Sequence, residues 1–102
     1  MKHVLIRYHF HNGSKEDWHR DIARFIESLD NDPELRGKIT YRAMKTSADD
    51  YYHLATVVDD RASEVLNSRD FFDRYTDRTN DVSGGTVEVV PLEVVAETVA
   101  RA

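Results

Sequence analysis

The sequence predicts an α+β domain with element order β-α-β-β-α-β: a four-stranded antiparallel sheet with both helices on one face. Three observations lead there. Stretches of alternating polarity, rich in β-branched and aromatic residues, open the chain, fill its middle twice and close it. The stretches between them carry apolar residues at helical spacing. Two right-handed β-α-β units joined in this order put both helices on the same side of one sheet.

The first strand is His3 to Phe10, where Val4, Ile6, Tyr8 and Phe10 alternate with His3, Leu5, Arg7 and His9. Asn12-Gly13 closes it. Ser14 stands at an N-cap position with Asp17 three residues on, a weaker capping box. Trp18, Ile22, Phe25, Ile26 and Leu29 then mark one face of a helix of about four turns. Asp30-Asn31-Asp32-Pro33 stops it, since the residue before proline is pushed out of the α region. The second strand is Lys38 to Lys45 and the third is Tyr51 to Val58. The polar link Thr46 to Asp50 makes them a hairpin. Asp59-Asp60 can cap a second helix with Ala62, Val65 and Leu66 inward. Ser68 can cap its continuation, Asp70 to about Thr79, with Phe71 or Phe72 and Tyr75 inward. Asn80 to Gly85 reads as a loop. Thr86 to Val95 is the last strand, and Pro91 within it requires an edge position or a bend.

Composition narrows the function classes. The 102 residues suffice for one domain, 1–102, with one modest core. A net charge of −5 argues against a nucleic-acid surface and against docking on anionic membranes. The absence of cysteine removes disulfides, thiolate metal sites and a cysteine nucleophile together. The opening Met1-Lys2-His3 leads into a stretch too short and too polar for a signal-peptide core, and no long apolar run exists, so the expected location is cytoplasmic.

Both parities of these strands carry apolar groups. Leu5, Val57 or Val58, and Val87 or Val89 are therefore expected on the face opposite the helices. A homodimer packed sheet against sheet covers such a face. The tail Glu93 to Ala102, with Val94, Val95 and Val99, is apolar enough to reach over the partner.

The order, the length and the phrases Lys2-His3-Val4-Leu5-Ile6, Gly37-Lys38-Ile39-Thr40-Tyr41-Arg42 and Ser68-Arg69-Asp70-Phe71-Phe72-Asp73-Arg74-Tyr75 resemble the dimeric α+β barrel superfamily, whose fold is ferredoxin-like. Within it the chain is most similar to antibiotic-biosynthesis-monooxygenase-type domains. Lys2-His3-Val4 and Tyr52-His53-Leu54 also resemble the stress-responsive and polyketide-cyclising branch. The resemblance implies a homodimer and a pocket between sheet and helices. It implies no cofactor for an oxygenase of this type, and its activities are too diverse to fix one.

The candidate site residues follow. His53 interrupts an apolar strand and is expected to be at least partly buried. A buried imidazole needs a partner and can serve as a base near neutral pH. The polyketide-cyclising resemblance implies that His53 and His3 line the pocket. That branch also carries a histidine on the second helix, where this chain reads Ser68-Arg69-Asp70-Phe71. The same lack argues against haem. Trp18, Tyr75, Phe72, Tyr8 and Tyr52, with Tyr41 in the same aromatic set, can hold a flat aromatic ligand or simply fill the core. His9 is a further pocket candidate. His9-x-His11 with His53 would make a three-histidine metal site if they met, and the alternative is two exposed imidazoles at a strand end. Asp49-Asp50 and Asp59-Asp60 are turn and cap residues rather than a calcium loop. The resulting expectation is a small-molecule-binding protein, with His53 taking the proton of a quinol or phenol in a cofactor-independent monooxygenase. The alternative is a non-catalytic binding or accessory domain.

Overall fold

The computed structural model describes residues 1–100. The chain runs β1 (Lys2–His9), α1 (Lys15–Asn31), β2 (Ile39–Lys45), β3 (Asp50–Val57), α2 (Asp60–Asn67), α3 (Asp70–Val82) and β4 (Glu88–Leu92). One four-stranded sheet has the order β2-β3-β1-β4 with every neighbouring pair antiparallel. The ferredoxin-like α+β fold expected from the sequence is the fold observed.

Local chemistry accounts for the boundaries. Ser14 caps α1, its Oγ accepting the Asp17 N–H at 3.3 Å. Asp59 caps α2 in the same way, accepting the Ala62 N–H at 2.8 Å. The second helical region is two helices, and Ser68 does not cap the continuation. It ends α2, its Oγ donating to the Val65 carbonyl at 2.6 Å, and Arg69 takes the N-cap position of α3 without a side-chain cap. Arg69 instead reaches back to the end of α1, donating to Asp32 at 2.8 Å and to Glu34 at 3.0 Å. That bond holds the Asp32 carboxyl below its ordinary range. The helix α3 runs to Val82, past the expected end near Thr79. The strand β4 stops at Leu92 rather than Val95. It lies at the sheet edge, where Pro91 costs no ladder bond.

The register decides which side chains meet. Along β1 and β3, partners always have opposite parity: Ile6 faces His53, Tyr8 faces Tyr51, and His9 faces Asp50. Val4, Ile6 and Tyr8 therefore share the helix side with Tyr51, His53, Ala55 and Val57. Leu5, Arg7 and His9 share the open side with Tyr52, Leu54 and Thr56. On β4, Val87 and Val89 fall on the helix side, not the open side, because Val89 pairs with Ile6 and Val90 with Leu5. Val57 is likewise on the helix side and buried.

Between sheet and helices, Trp18, Ile22, Phe25 and Leu29 of α1 pack with Tyr8, Tyr51, Val65, Tyr75 and Val82. Beyond Leu92 the described residues form no regular structure, and Val94, Val95 and Val99 are exposed. Among the described residues no helix is long and apolar enough to cross a membrane.

Asp59→Ala should cost about 1 kcal/mol of stability through loss of the α2 cap. Urea unfolding checks this against Asp60→Ala, whose side chain makes only an exposed ion pair with Lys2 and should change little.

Candidate functional site

His53 sits at the centre of β3, points into the core and is fully buried. A neutral imidazole there must partner both nitrogens. Three elements supply those partners, and a fourth extends the network. Tyr8 of β1 lies with its hydroxyl 2.8 Å from Nε2. Tyr41 of β2 and Tyr75 of α3 lie 2.5 Å and 3.2 Å from Nδ1, with 2.9 Å between their own hydroxyls. Trp18 of α1 donates its indole N–H to the Tyr8 oxygen at 2.8 Å. The rings also pack: Trp18 stacks on Tyr75 with centroids 5.5 Å apart, and Tyr75 stacks on Phe25 at 3.9 Å. No buried side-chain nitrogen or oxygen among the described residues lacks a partner.

Burial sets the protonation states. It lowers the His53 pKa to about 4, so the ring is neutral at pH 7. Burial also pushes the Tyr8, Tyr41 and Tyr75 hydroxyls well above the usual tyrosine value. They remain protonated hydrogen-bond donors throughout the physiological range.

Beside this network lies an apolar cavity of about 250 Å³ between the sheet and α3. Val4, Ile6 and Ala55 form its floor, and Phe72, Tyr75 and Tyr41 stand on its walls. Val89, Thr76 and Asn80 belong to the same lining and are exposed, which places the mouth between β4 and α3. Ligand pockets usually span about 300–1,000 Å³, so this one suits a small ligand of one or two rings. A wider groove of about 500 Å³ beside α1 includes Arg24, Glu27, Asp32 and Arg69. There Arg69 and Asp32 are already paired with each other, and none of the residues bonded to His53 belongs to the lining.

The structure sorts the candidate residues into three groups. Tyr75 and Phe72 line the cavity. His53, Tyr8 and Trp18 join the hydrogen-bond network but not the cavity lining: Tyr41 and Tyr75 carry the network to the cavity wall. Tyr52 and His9 are on the open face. There His9 Nδ1–H donates to Asp50 at 2.9 Å, and Tyr52 is exposed. His3 is also on that face, 2.9 Å from Thr56 Oγ1. His9 and His53 thus lie on opposite sides of the sheet. No group of three metal-ligating side chains is gathered anywhere among the described residues. Tyr41, named in the same aromatic set, both lines the cavity and bonds His53. Its position on the apolar parity of β2, between Ile39 and Ala43, was the available signal; its reach to His53 depends on the β2–β3 register.

No protein-family profile matches the sequence, and no curated protein matches it. Similarity appears among solved structures. A structure described as an antibiotic biosynthesis monooxygenase superimposes with a TM-score of 0.74 at 13% identity, over 94% of this chain and 100% of that one. A variant of SnoaB, a cofactor-independent oxygenase from Streptomyces nogalater, gives 0.70 at 16% identity over 94% of each chain. A dimeric ferredoxin-like protein of unknown function from Jannaschia sp. CCS1 gives 0.69 at 19% identity, over 91% of this chain and 98% of that one. At these identities the common property is the ferredoxin-like fold, shared with structures described as an antibiotic biosynthesis monooxygenase and as a protein of unknown function.

Because burial depresses the folded-state pKa of His53, the unfolded chain takes up a proton between about pH 6.5 and 4 that the folded chain refuses. The His53 contribution to stability is present above the unfolded value and is lost as pH falls through this window. Between pH 6 and pH 5 the loss should be roughly 1 kcal/mol. Urea unfolding at those two pH values should show this slope in the native chain and a shallower one in His53→Gln.

Proposed function

We propose that this chain binds a small, flat, mostly apolar ring compound in the cavity between the sheet and α3, and that it acts there as a cofactor-independent monooxygenase on a quinol or phenol. One observation carries the binding reading: an apolar cavity of about 250 Å³ lined in part by Tyr41 and Tyr75, whose hydroxyls lie 2.9 Å apart. Phe72 and the Tyr41 and Tyr75 rings offer aromatic faces to a flat ligand. The oxygenase part draws on the shared fold with SnoaB, itself described as a cofactor-independent oxygenase.

His53 stands behind Tyr41 and Tyr75, so its part is to hold them in place rather than to touch the ligand. Its neutral ring with a pKa of about 4 is a weak base. This observation favours a second reading, a binding or accessory domain in which the network is structural.

The proposal includes a homodimer formed through the open sheet face. Leu5, Leu54, Met44, Val90 and Leu92 lie there with no helix over them, and Leu54, Met44 and Leu92 are exposed. The Jannaschia protein of the same fold is described as dimeric. Sedimentation equilibrium should give twice the 11.8 kDa chain mass, and Leu54→Asp should give the monomer. A monomeric native chain would remove this part.

The binding and oxygenase readings are tested by thermal shift with naphthols and naphthoquinols, followed by oxygen uptake. A compound near 100 times its Kd should raise Tm by roughly 4–8 °C. Ala55→Leu, which narrows the cavity floor, should abolish the shift. Oxygen uptake with a bound quinol would support the oxygenase reading. Binding without uptake would favour the accessory domain, and no shift from any ring compound would remove the cavity reading.

A further inference from the structure

The hydrogens of the His53 network can be counted. Five groups each bring one: the Trp18 indole, the neutral His53 ring and the hydroxyls of Tyr8, Tyr41 and Tyr75. The Trp18 N–H can only donate, and it donates to the Tyr8 oxygen. Tyr8 must then place its own hydrogen, and its one remaining partner is His53 Nε2. This assigns Nε2 as the acceptor and puts the ring hydrogen on Nδ1. Nδ1–H donates toward Tyr41 and Tyr75. The two tyrosines can place one hydrogen between them, across 2.9 Å. The other finds no acceptor in the cluster, because Nδ1 is already protonated.

The reverse tautomer only moves the surplus: Nε2–H and Trp18 would both donate to Tyr8, whose own hydrogen would then have nowhere to go in the core. The first arrangement places the surplus on Tyr41 or Tyr75, the two network residues that stand on the cavity wall. An unplaced buried hydrogen costs about 1–3 kcal/mol, so the arrangement that delivers it to a cavity is favoured.

We infer that this wall is a subsite for an oxygen acceptor. The ligand presents a ring carbonyl or phenolate oxygen that takes the surplus hydrogen of the Tyr41–Tyr75 pair, and Trp18, Tyr8 and His53 set the direction of the chain behind it. The high hydroxyl pKa values keep both tyrosines donors at neutral pH. The inference rests on the proposed ring-binding role of the cavity and specifies what the ring must carry. A site built to donate discriminates against an analogue that lacks the acceptor.

The test compares 1-tetralone with tetralin, which has the same bicyclic skeleton without the carbonyl. Calorimetry on the native chain should show tetralone binding about tenfold more tightly, the effect of one well-formed hydrogen bond. Tyr41→Phe/Tyr75→Phe should bring the ratio to about one, with far-UV circular dichroism checking that the variant is folded; the two single variants identify the donor. Independently of any variant, the infrared carbonyl band of bound ¹³C-labelled tetralone should lie below its position in hexane. Equal affinities with an unshifted band would overturn the inference and leave the cavity reading standing. A tenfold ratio that survives in the double variant would also overturn it. If neither compound binds the native chain, the cavity reading fails and takes the inference with it.

Discussion

The fold turns on one constraint, an imidazole placed where water cannot reach it. His53 occupies the middle of a central strand, and a buried polar group without a partner costs about 1–3 kcal/mol in a domain whose whole stability is about 5–15 kcal/mol. The constraint is met by Tyr8 from β1, Tyr41 from β2 and Tyr75 from α3, with Trp18 of α1 one bond further out. Three of the four strands and two of the three helices thus contribute to one polar cluster in the core. A slip of one residue in either strand pair would turn Tyr8 or Tyr41 to the open face and strand the ring. The network therefore specifies register, which apolar patterning alone does not do when both faces of a strand are apolar.

The same burial that makes the network necessary decides its chemistry. Neutral at pH 7, His53 is better suited to fixing neighbours than to removing protons, and the tyrosines around it are donors that do not ionise. In the proposed subsite the wall acts through hydroxyl hydrogens offered to a ligand oxygen. Such groups can bind, orient and stabilise an oxygen that carries negative charge, and they do so without reorganising. Whether oxygen chemistry follows depends on how readily the bound compound gives up electrons.

Much of the fold was legible. Element order, the Ser14 and Asp59 caps, the β2–β3 hairpin and the edge position required by Pro91 all rest on local rules of capping, turn formation and ladder donation. The break at Ser68-Arg69 was harder to read, because a serine before an acidic residue looks like an N-cap, whereas here its hydroxyl bonds backward to Val65. The site was legible only in part. His53, Tyr75 and Trp18 stood out as polar or amphipathic groups in apolar patterns. Pairing parity is what separates His9 and Tyr52 from His53, and it depends on how β1 and β3 align, which neither strand's own sequence specifies. Tyr41 becomes a network member only once β2 is laid beside β3 in register.

Fold likeness and network chemistry thus answer different questions. Sequences that share 13–19% of their residues can share a sheet, its helices and the space between them, because those follow from element order and apolar patterning. A five-group hydrogen-bond cluster depends on particular side chains at particular register positions. The layered sheet and helices are therefore what the fold supplies, and the side chains between them are what this sequence supplies. Val89 at the mouth is on the helix side of edge strand β4, and Leu5 and Leu54 are on the open side of the same sheet. A ligand entering beside Val89 and a second copy covering Leu5 and Leu54 would withdraw apolar surface from water on the two faces of the same sheet. Occupancy of the cavity and association of the chains would then stabilise the same strands from opposite sides.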